Sequence, residues 1–423
     1  MAHGPNTAEV LQRIAESRAG GRLNLRNLRI TSLPALPPTL ITLLCSDNQL
    51  TALPDLPSTL TELYCSGNQL TELPALPPGL ERLLCSSNRL SRLPALPPTL
   101  SFLDCSSDRL TVLPDLPPTL MELHCGGNQL TELPALPPIL TDLNCRQNSL
   151  TQLPILPRGL IELMCSVNRL SRLPDLPPRL EILMCTSNQL IELPALPDSL
   201  TTLNCTRNRL TALPTINPSS SLHTLICDEN QLTALPDLGG TNLRLLHFND
   251  NRVTVLPTLP GSLENLYFQR NQLTVLPTLP ASIRTLICNN NPIQRVVFPF
   301  QIDPVSKRKV YMPAFSPAVT SMLMRHVFGG TNLQFLPDET VEQYETRILQ
   351  RMNASVVNNE EMEIIRGVAD AQVDFAPGGP GYVETAAKYG DGKTKLGGTR
   401  SGRRTRRRRK IRRPSVKKRF HGK

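Results

Sequence analysis

The side chains best able to do chemistry are the cysteines. Eleven stand at Cys45, Cys65, Cys85, Cys105, Cys125, Cys145, Cys165, Cys185, Cys205, Cys227 and Cys288, the first nine each twenty residues apart. Thiolates ligate soft metals or act as nucleophiles, but metal sites and redox pairs use close spacings such as CxxC, and none occurs. A thiol repeating every twenty residues instead occupies a core position, as a small hydrophobe would. On in-register parallel strands such side chains point the same way at about 4.8 Å spacing, which suits stacking better than bridging. The expectation is eleven free thiols, slow to react, in a reducing compartment. Histidines offer no metal spacing at His3, His124, His223, His247, His326 and His421. His124 and His247 fall on expected strand positions six turns apart, where a surface contact is the natural role. The GGPGY of residues 378–382 lacks the strand and helix a phosphate loop needs. The sequence therefore assigns no catalytic, cofactor-binding or metal-ligating residue, and predicts a protein that is not an enzyme and takes no cofactor.

These cysteines are positioned by a repeat. Residues 33–52, LPALPPTLITLLCSDNQLTA, return in register, with Leu40, Leu43, Cys45, Asn48 and Leu50 answered by Leu60, Leu63, Cys65, Asn68 and Leu70. A period near twenty residues defines a solenoid, in which one turn cannot bury its apolar side alone and stacking supplies the core. Leu43 and Cys45 alternate with Thr42, Leu44 and Ser46, the pattern of a short strand with one buried face. The strand leucines at 23, 43, 63, 83, 103, 123, 143, 163, 183, 203, 225, 246, 266 and 286 count fourteen turns, and at about 4.8 Å per strand the sheet runs ~65 Å. Asn48 begins a column whose amides can donate to and accept from backbone groups that no strand pairs. Asp108 interrupts that column, and because an ionised carboxylate cannot donate, the fifth turn should be locally weaker. The return path LPxLPxx is too rich in proline for helix and suits an extended, polyproline-like outer wall.

The pattern LPxLPxxLxxLxxxxNxL resembles the short leucine-rich repeats of bacterial secreted effectors, over residues 33–293. The resemblance implies a parallel-sheet solenoid with an extended convex side, used as a protein-binding scaffold. One branch of those proteins appends a ubiquitin-ligase domain with a catalytic cysteine. That activity does not carry over, since no cysteine follows Cys288 and the 130 residues after Ile293 are too few for that domain. The cysteine column departs from the aliphatic residue usual there.

The flanks complete the organisation. Residues 1–22 hold an N-terminal capping helix with Val10, Leu11 and Ile14 on one face, Asn6 or Thr7 able to cap its start. The solenoid occupies residues 23–296, with Leu28 where later turns carry Asn. Residues 297–376 read as a C-terminal cap and small helical appendage, with helices after Ser316, after Asp338 and from Glu360 to Ala369. Residues 377–392 read as linker, and 393–423 as an Arg/Lys-rich tail too poor in apolar residues to fold alone. The chain carries 45 Lys plus Arg against 35 Asp plus Glu, and 16 of the 45 lie in residues 393–423, which hold no acid. The rest is therefore acidic, at 29 − 35 = −6. Contact with a nucleic acid or other polyanion is expected only from the tail, through Arg403, Arg404, Arg406, Arg407, Arg408, Arg409, Lys410, Arg412 and Arg413. Such tails are similar to those of some large-DNA-virus proteins, a resemblance covering some thirty residues. No stretch of about 18 apolar residues occurs, so no membrane span is expected.

With the Leu, Cys and Asn positions taken by core and turns, the remaining strand positions are free to meet a partner. The middle column reads Leu44, Tyr64, Leu84, Asp104, His124, Asn144, Met164, Met184, Asn204, Ile226, His247, Tyr267 and Ile287. On a concave sheet face it should point to solvent, with Leu44, Tyr64 and Leu84 as one apolar group and Met164 with Met184 as another. The expected protein-binding residues are Leu44, Tyr64, Leu84, His124, Asn144, Met164, Met184 and Tyr267. The function implied is a protein-binding scaffold localised by its basic tail, intracellular and nuclear if the host is eukaryotic. The alternative is a polyanion-binding protein that acts through the tail, the solenoid being a spacer.

Overall fold

A computed structural model of the chain describes residues 7–17, residues 21–296 apart from positions 278, 281, 289 and 294, and the strands Phe300–Ile302 and Lys309–Tyr311. The expected helices after Ser316, the linker 377–392 and the tail 393–423 lie outside the described residues.

Fourteen strands of three residues, from Arg22–Asn24 to Thr285–Ile287, form one parallel sheet in sequence order. Register follows the period, so every central leucine stands opposite the next, Leu43 beside Leu63 and Leu143 beside Leu163. Each central leucine is buried, as is each following cysteine. Backbone pairing continues past the strand ends, since the Cys45 N–H donates to the Tyr64 carbonyl at 2.8 Å and the Cys65 N–H to that of Leu84 at 2.7 Å. Leu40, Leu43, Cys45 and Leu50 and their equivalents fill the space behind the sheet, which is the core expected of a stacked array. Where Cys would stand in two late turns, Phe248 and Phe268 stack instead, centroids 5.5 Å apart.

The asparagine column closes each turn. Asn68 donates from Nδ2 to the carbonyls of Cys45, Cys65 and Ser66 at 3.0, 3.0 and 3.3 Å, while its Oδ1 accepts from the Leu50 N–H at 3.0 Å. One side chain thus satisfies backbone groups of two turns that the sheet leaves unpaired. The residue before each Asn takes a left-handed conformation, met by Gly67 and Gly127 at φ 66° and 68° but also by Val167 at 56°. At the outer wall, hydroxyls tie neighbouring turns, as Thr59 Oγ1 donates to the carbonyls of Pro38 at 2.9 Å and Leu40 at 2.7 Å.

The first turn is closed by the helix Thr7–Ser17, which buries Val10 and Ile14. Leu11 does not join them and is 54% exposed, because it lies about 100° around the helix from Val10 while Ile14 lies one turn on. Gly21 follows with φ 64°, and a Cβ there would meet Ile41 at 2.9 Å. In the stretch expected to be a helical appendage, the described residues form an antiparallel pair, Phe300–Ile302 with Lys309–Tyr311. The outer wall also gains a short parallel pair at its far end, Val275–Leu276 with Arg295–Val296.

Candidate protein-binding face

The sheet presents its face away from the core through three rows of side chains. The outer rows come from the residue that opens each strand, such as Glu122, Asp142 and Glu162, and from the residue after each cysteine, such as Ser166. The middle row is the one expected to meet solvent, and the structure corrects that expectation. Leu44 is 3% exposed and Met164 6%, and Leu84, Asp104, His124, Asn144, Met184, Asn204, Ile226 and His247 are likewise buried. Alternation does aim them away from the core. However, strands only about 4.8 Å apart bring equivalent side chains into contact along the row, and the outer rows cover the remainder. Leu44 with Leu84, and Met164 with Met184, are therefore not exposed apolar patches. Of the expected protein-binding residues, only Tyr64 and Tyr267 remain half-buried.

The half-buried side chains lie mostly in the outer rows, although Phe102, which opens its strand, is buried. Arg26 sits over the Tyr64 ring at 5.5 Å, and Arg82 over the Phe102 ring at 4.2 Å. Phe102 packs edge-on to His124 at 5.4 Å, and His124 Nε2 lies 3.3 Å from Asp142 Oδ1. Burial would lower the pKa of His124, but Asp142, with Asp104 and Glu122 beyond, outweighs it and holds the imidazole above its ordinary value. Burial raises the carboxyl of Glu122, His124 and Arg82 pulling it down and Asp142 up. Glu162 is pushed up to about 7 by burial, then by the neighbouring Asp142 and Glu181. A second group lies further along, where His247 packs tilted against Tyr267, ring centroids 4.0 Å apart, and its Nδ1 is 3.8 Å from Asp228 Oδ2.

All eleven cysteines are free and buried. Burial pushes Cys45, Cys145, Cys205 and Cys288 up to about 12 and raises the others well above the ordinary thiol value. Such thiols do not supply thiolate for catalysis or metal binding. Among the described residues no group of three or more His, Cys, Asp or Glu is placed to hold a metal ion, and no helix is long and apolar enough to cross a membrane. Residues 403–413, the expected polyanion contacts, lie outside the described residues.

Sequence reasoning passed over Glu122 and Asp142. The signal was present, since acids open three successive strands at the same position of the repeat, and tabulating the first strand position as well as the middle one would have found it.

The twenty-residue period, the single parallel sheet and the asparagine column place the chain in the leucine-rich-repeat family, with repeats of the bacterial-effector type. The family described as leucine-rich repeats (2 copies) matches residues 38–78. Over 68% of this chain and 89% of the other, it is similar to YopM, a leucine-rich effector protein from Yersinia pestis, at 37% identity and a TM-score of 0.59. It is also similar to the functional domain of InlJ from Listeria monocytogenes, at 28% identity over 64% of each chain with a TM-score of 0.58; that domain includes a cysteine ladder. No curated protein sequence matches the chain.

Proposed function

We propose that this protein is a non-enzymatic scaffold that binds another protein on the sheet face opposite its core, through the outer rows of side chains. The observation that carries this reading is a row of fourteen in-register strands whose solvent-side face is covered by no other described element. Its half-buried side chains differ from turn to turn while the core and turn positions stay constant. Tyr64 and Tyr267 keep their place among the contacts; Leu44, Leu84, His124, Asn144, Met164 and Met184 support the rows above them. The Arg/Lys-rich tail, with 16 Lys and Arg in residues 393–423, localises the protein by polyanion contact. That charge excess also favours a second reading, in which the tail alone acts on nucleic acid.

Affinity capture with full-length chains separates the two. A Glu62→Lys, Thr202→Lys face variant should lose a partner that the wild type holds. A Glu72→Lys, Glu192→Lys variant of the opposite wall, where both glutamates are exposed, should keep it. Equal capture by all three chains, with loss only when the tail arginines are changed to serine, would replace the scaffold reading with the second one.

A further inference from the structure

Three ionisable side chains on consecutive turns of the face are shut in with one another. His124, Asp142 and Glu162 stand on the adjacent strands Glu122–His124, Asp142–Asn144 and Glu162–Met164, with Asp142 the register partner of both Glu122 and Glu162. His124 Nε2 lies 3.3 Å from Asp142 Oδ1, in side chains 5% and 16% exposed. Both atoms are closed off from water, so each is left to the other. Glu162 Oε2 is closed off as well and has no hydrogen-bond donor among the described residues. An ionised carboxylate held so is costly, whereas a protonated Glu162 is a donor, and the Asp142 carboxylate beside it is the acceptor. Asp142 is then shared between the imidazolium of His124 on one side and the O–H of Glu162 on the other. Without the Glu162 proton, two carboxylates face each other at strand spacing, about 4.8 Å. Asp104 from the strand before, Glu122 on the strand of His124 itself and Glu181 ahead of Ile182–Met184 add negative charge. Arg82, a cation near Glu122, is drawn over Phe102, and Arg146 stands in the opposite outer row.

We infer that His124, Asp142 and Glu162 form a proton-operated clasp, which ties three successive turns of the face together in acid and releases them as the pH rises. The inference goes beyond the scaffold reading and does not depend on it. Its direction follows from the two groups that take up the protons. Burial, then Asp142 and Glu181, lift the Glu162 carboxyl from 4.5 up to about 7 against the opposing His124. Its contribution is therefore fully present below about pH 4.5 and lost as pH climbs through about 7. Burial works against a charged His124, but Asp142, Asp104 and Glu122 hold the imidazole above 6.5, so its contribution is complete below that pH and is likewise lost on going up. Burial raises Glu122 in the same sense. All three act with one sign, and the turns they join carry the half-buried rows on either side of His124.

The test is amide hydrogen exchange of the full-length protein, read by mass spectrometry and corrected for the intrinsic pH dependence of exchange. Peptides across residues 121–165 report the clasp, and peptides across residues 40–70 serve as the internal comparison. From pH 5.5 to 8.5 the wild type should lose about tenfold in protection over 121–165 relative to 40–70. Glu162→Gln supplies Asp142 with an N–H donor at every pH. That variant should be about threefold better protected than the wild type over 121–165 at pH 8.5 and no better at pH 5.5. Asp108, which also titrates near 7 one turn earlier, is common to both chains and cancels in their difference. A second measurement needs no variant: the His124 ring, followed by NMR in the wild type, should titrate above 6.5. Protection over 121–165 that does not fall with pH relative to 40–70 would overturn the inference. So would equal pH profiles in the wild type and Glu162→Gln, or a His124 ring that titrates at or below 6.5.

Discussion

Replacing Asp108 with asparagine should stabilise the solenoid by an amount that grows with pH. In the turn before it, Asn88 donates from Nδ2 to the carbonyls of Cys65, Cys85 and Ser86 at 3.1, 2.8 and 3.3 Å. Asp108 keeps the acceptor half of that role, taking the N–H groups of Asn88 and Leu90 at 3.1 and 3.0 Å on Oδ1. Its Oδ2 is buried with no partner, where the amide nitrogen of other turns donates. Burial pushes this carboxyl from 3.8 up to about 7, Asp104 adding to the rise and the two N–H donors opposing it. A carboxyl whose pKa rises on folding binds its proton more tightly in the native state. Its contribution is fully present below about pH 4 and lost as pH climbs through about 7. Three pK units at about 1.4 kcal/mol each set a ceiling near ~4 kcal/mol, and partial access of water to this turn brings the expectation to about 2–3 kcal/mol. Asp108→Asn removes the titration and restores the donor, so the gap between variant and wild type should be under about 1 kcal/mol at pH 4 and reach about 2–3 kcal/mol by pH 8.5. Other shifted groups, Glu122 and Glu162 among them, are common to both proteins and cancel. Urea denaturation at several pH values measures the gap. Amide exchange at Leu90 reports whether it is local, as an array need not unfold in one step. A gap that stays constant with pH, or a wild type that is the more stable at pH 8.5, would refute the reasoning.

Further outcomes follow from the same contacts. Asn168→Ala removes donors to Cys145, Cys165 and Ser166 and the acceptor for Leu150, and should cost about 3 kcal/mol by urea denaturation, since the carbonyls left behind are buried. Val167→Asn should stabilise by about 1 kcal/mol in the same assay, because a β-branched residue at φ 56° carries strain that Asn tolerates. A thiol reagent at pH 8 should label none of the eleven cysteines within minutes in the native protein and all eleven in denaturant; rapid native labelling of several would contradict their place in the core. Met164→Glu, made in a side chain 6% exposed, should lower stability by about 2 kcal/mol or more, and a variant as stable as the wild type would show the middle row to be open to water.

What the sequence made legible is what the repeat enforces. Leu43 with Cys45 marks a strand face, Asn48 a turn, and the LPxLPxx path a wall, because each type recurs where one physical demand recurs. The hydroxyl ties were less visible, since Thr59, Thr99, Thr119 and Ser199 share that position with Gly79, Ile139 and Gly159. Leu11 was misread because apolar character alone does not say which side of a short helix meets the first turn. The middle row was misread for a different reason. Strand alternation gives the direction of Met164 and Met184, but their exposure depends on lateral contact between turns, a quantity no single repeat contains.

That distinction decides where specificity can reside. A side chain in the middle row touches its equivalents in the turns before and after, so Met164 constrains Met184 and Asn144, and a change there propagates along the stack. One in an outer row meets the sheet on one side and water on the other, and can vary turn by turn at small cost to the fold. Charges placed in the outer row interact across about 4.8 Å with the next turn's charge, so their effects accumulate into a strip rather than remaining single contacts. Glu122, Asp142 and Glu162 have that arrangement: none is required by the core, and burial, with the neighbouring Asp142, raises the affinity of Glu122 and Glu162 for protons.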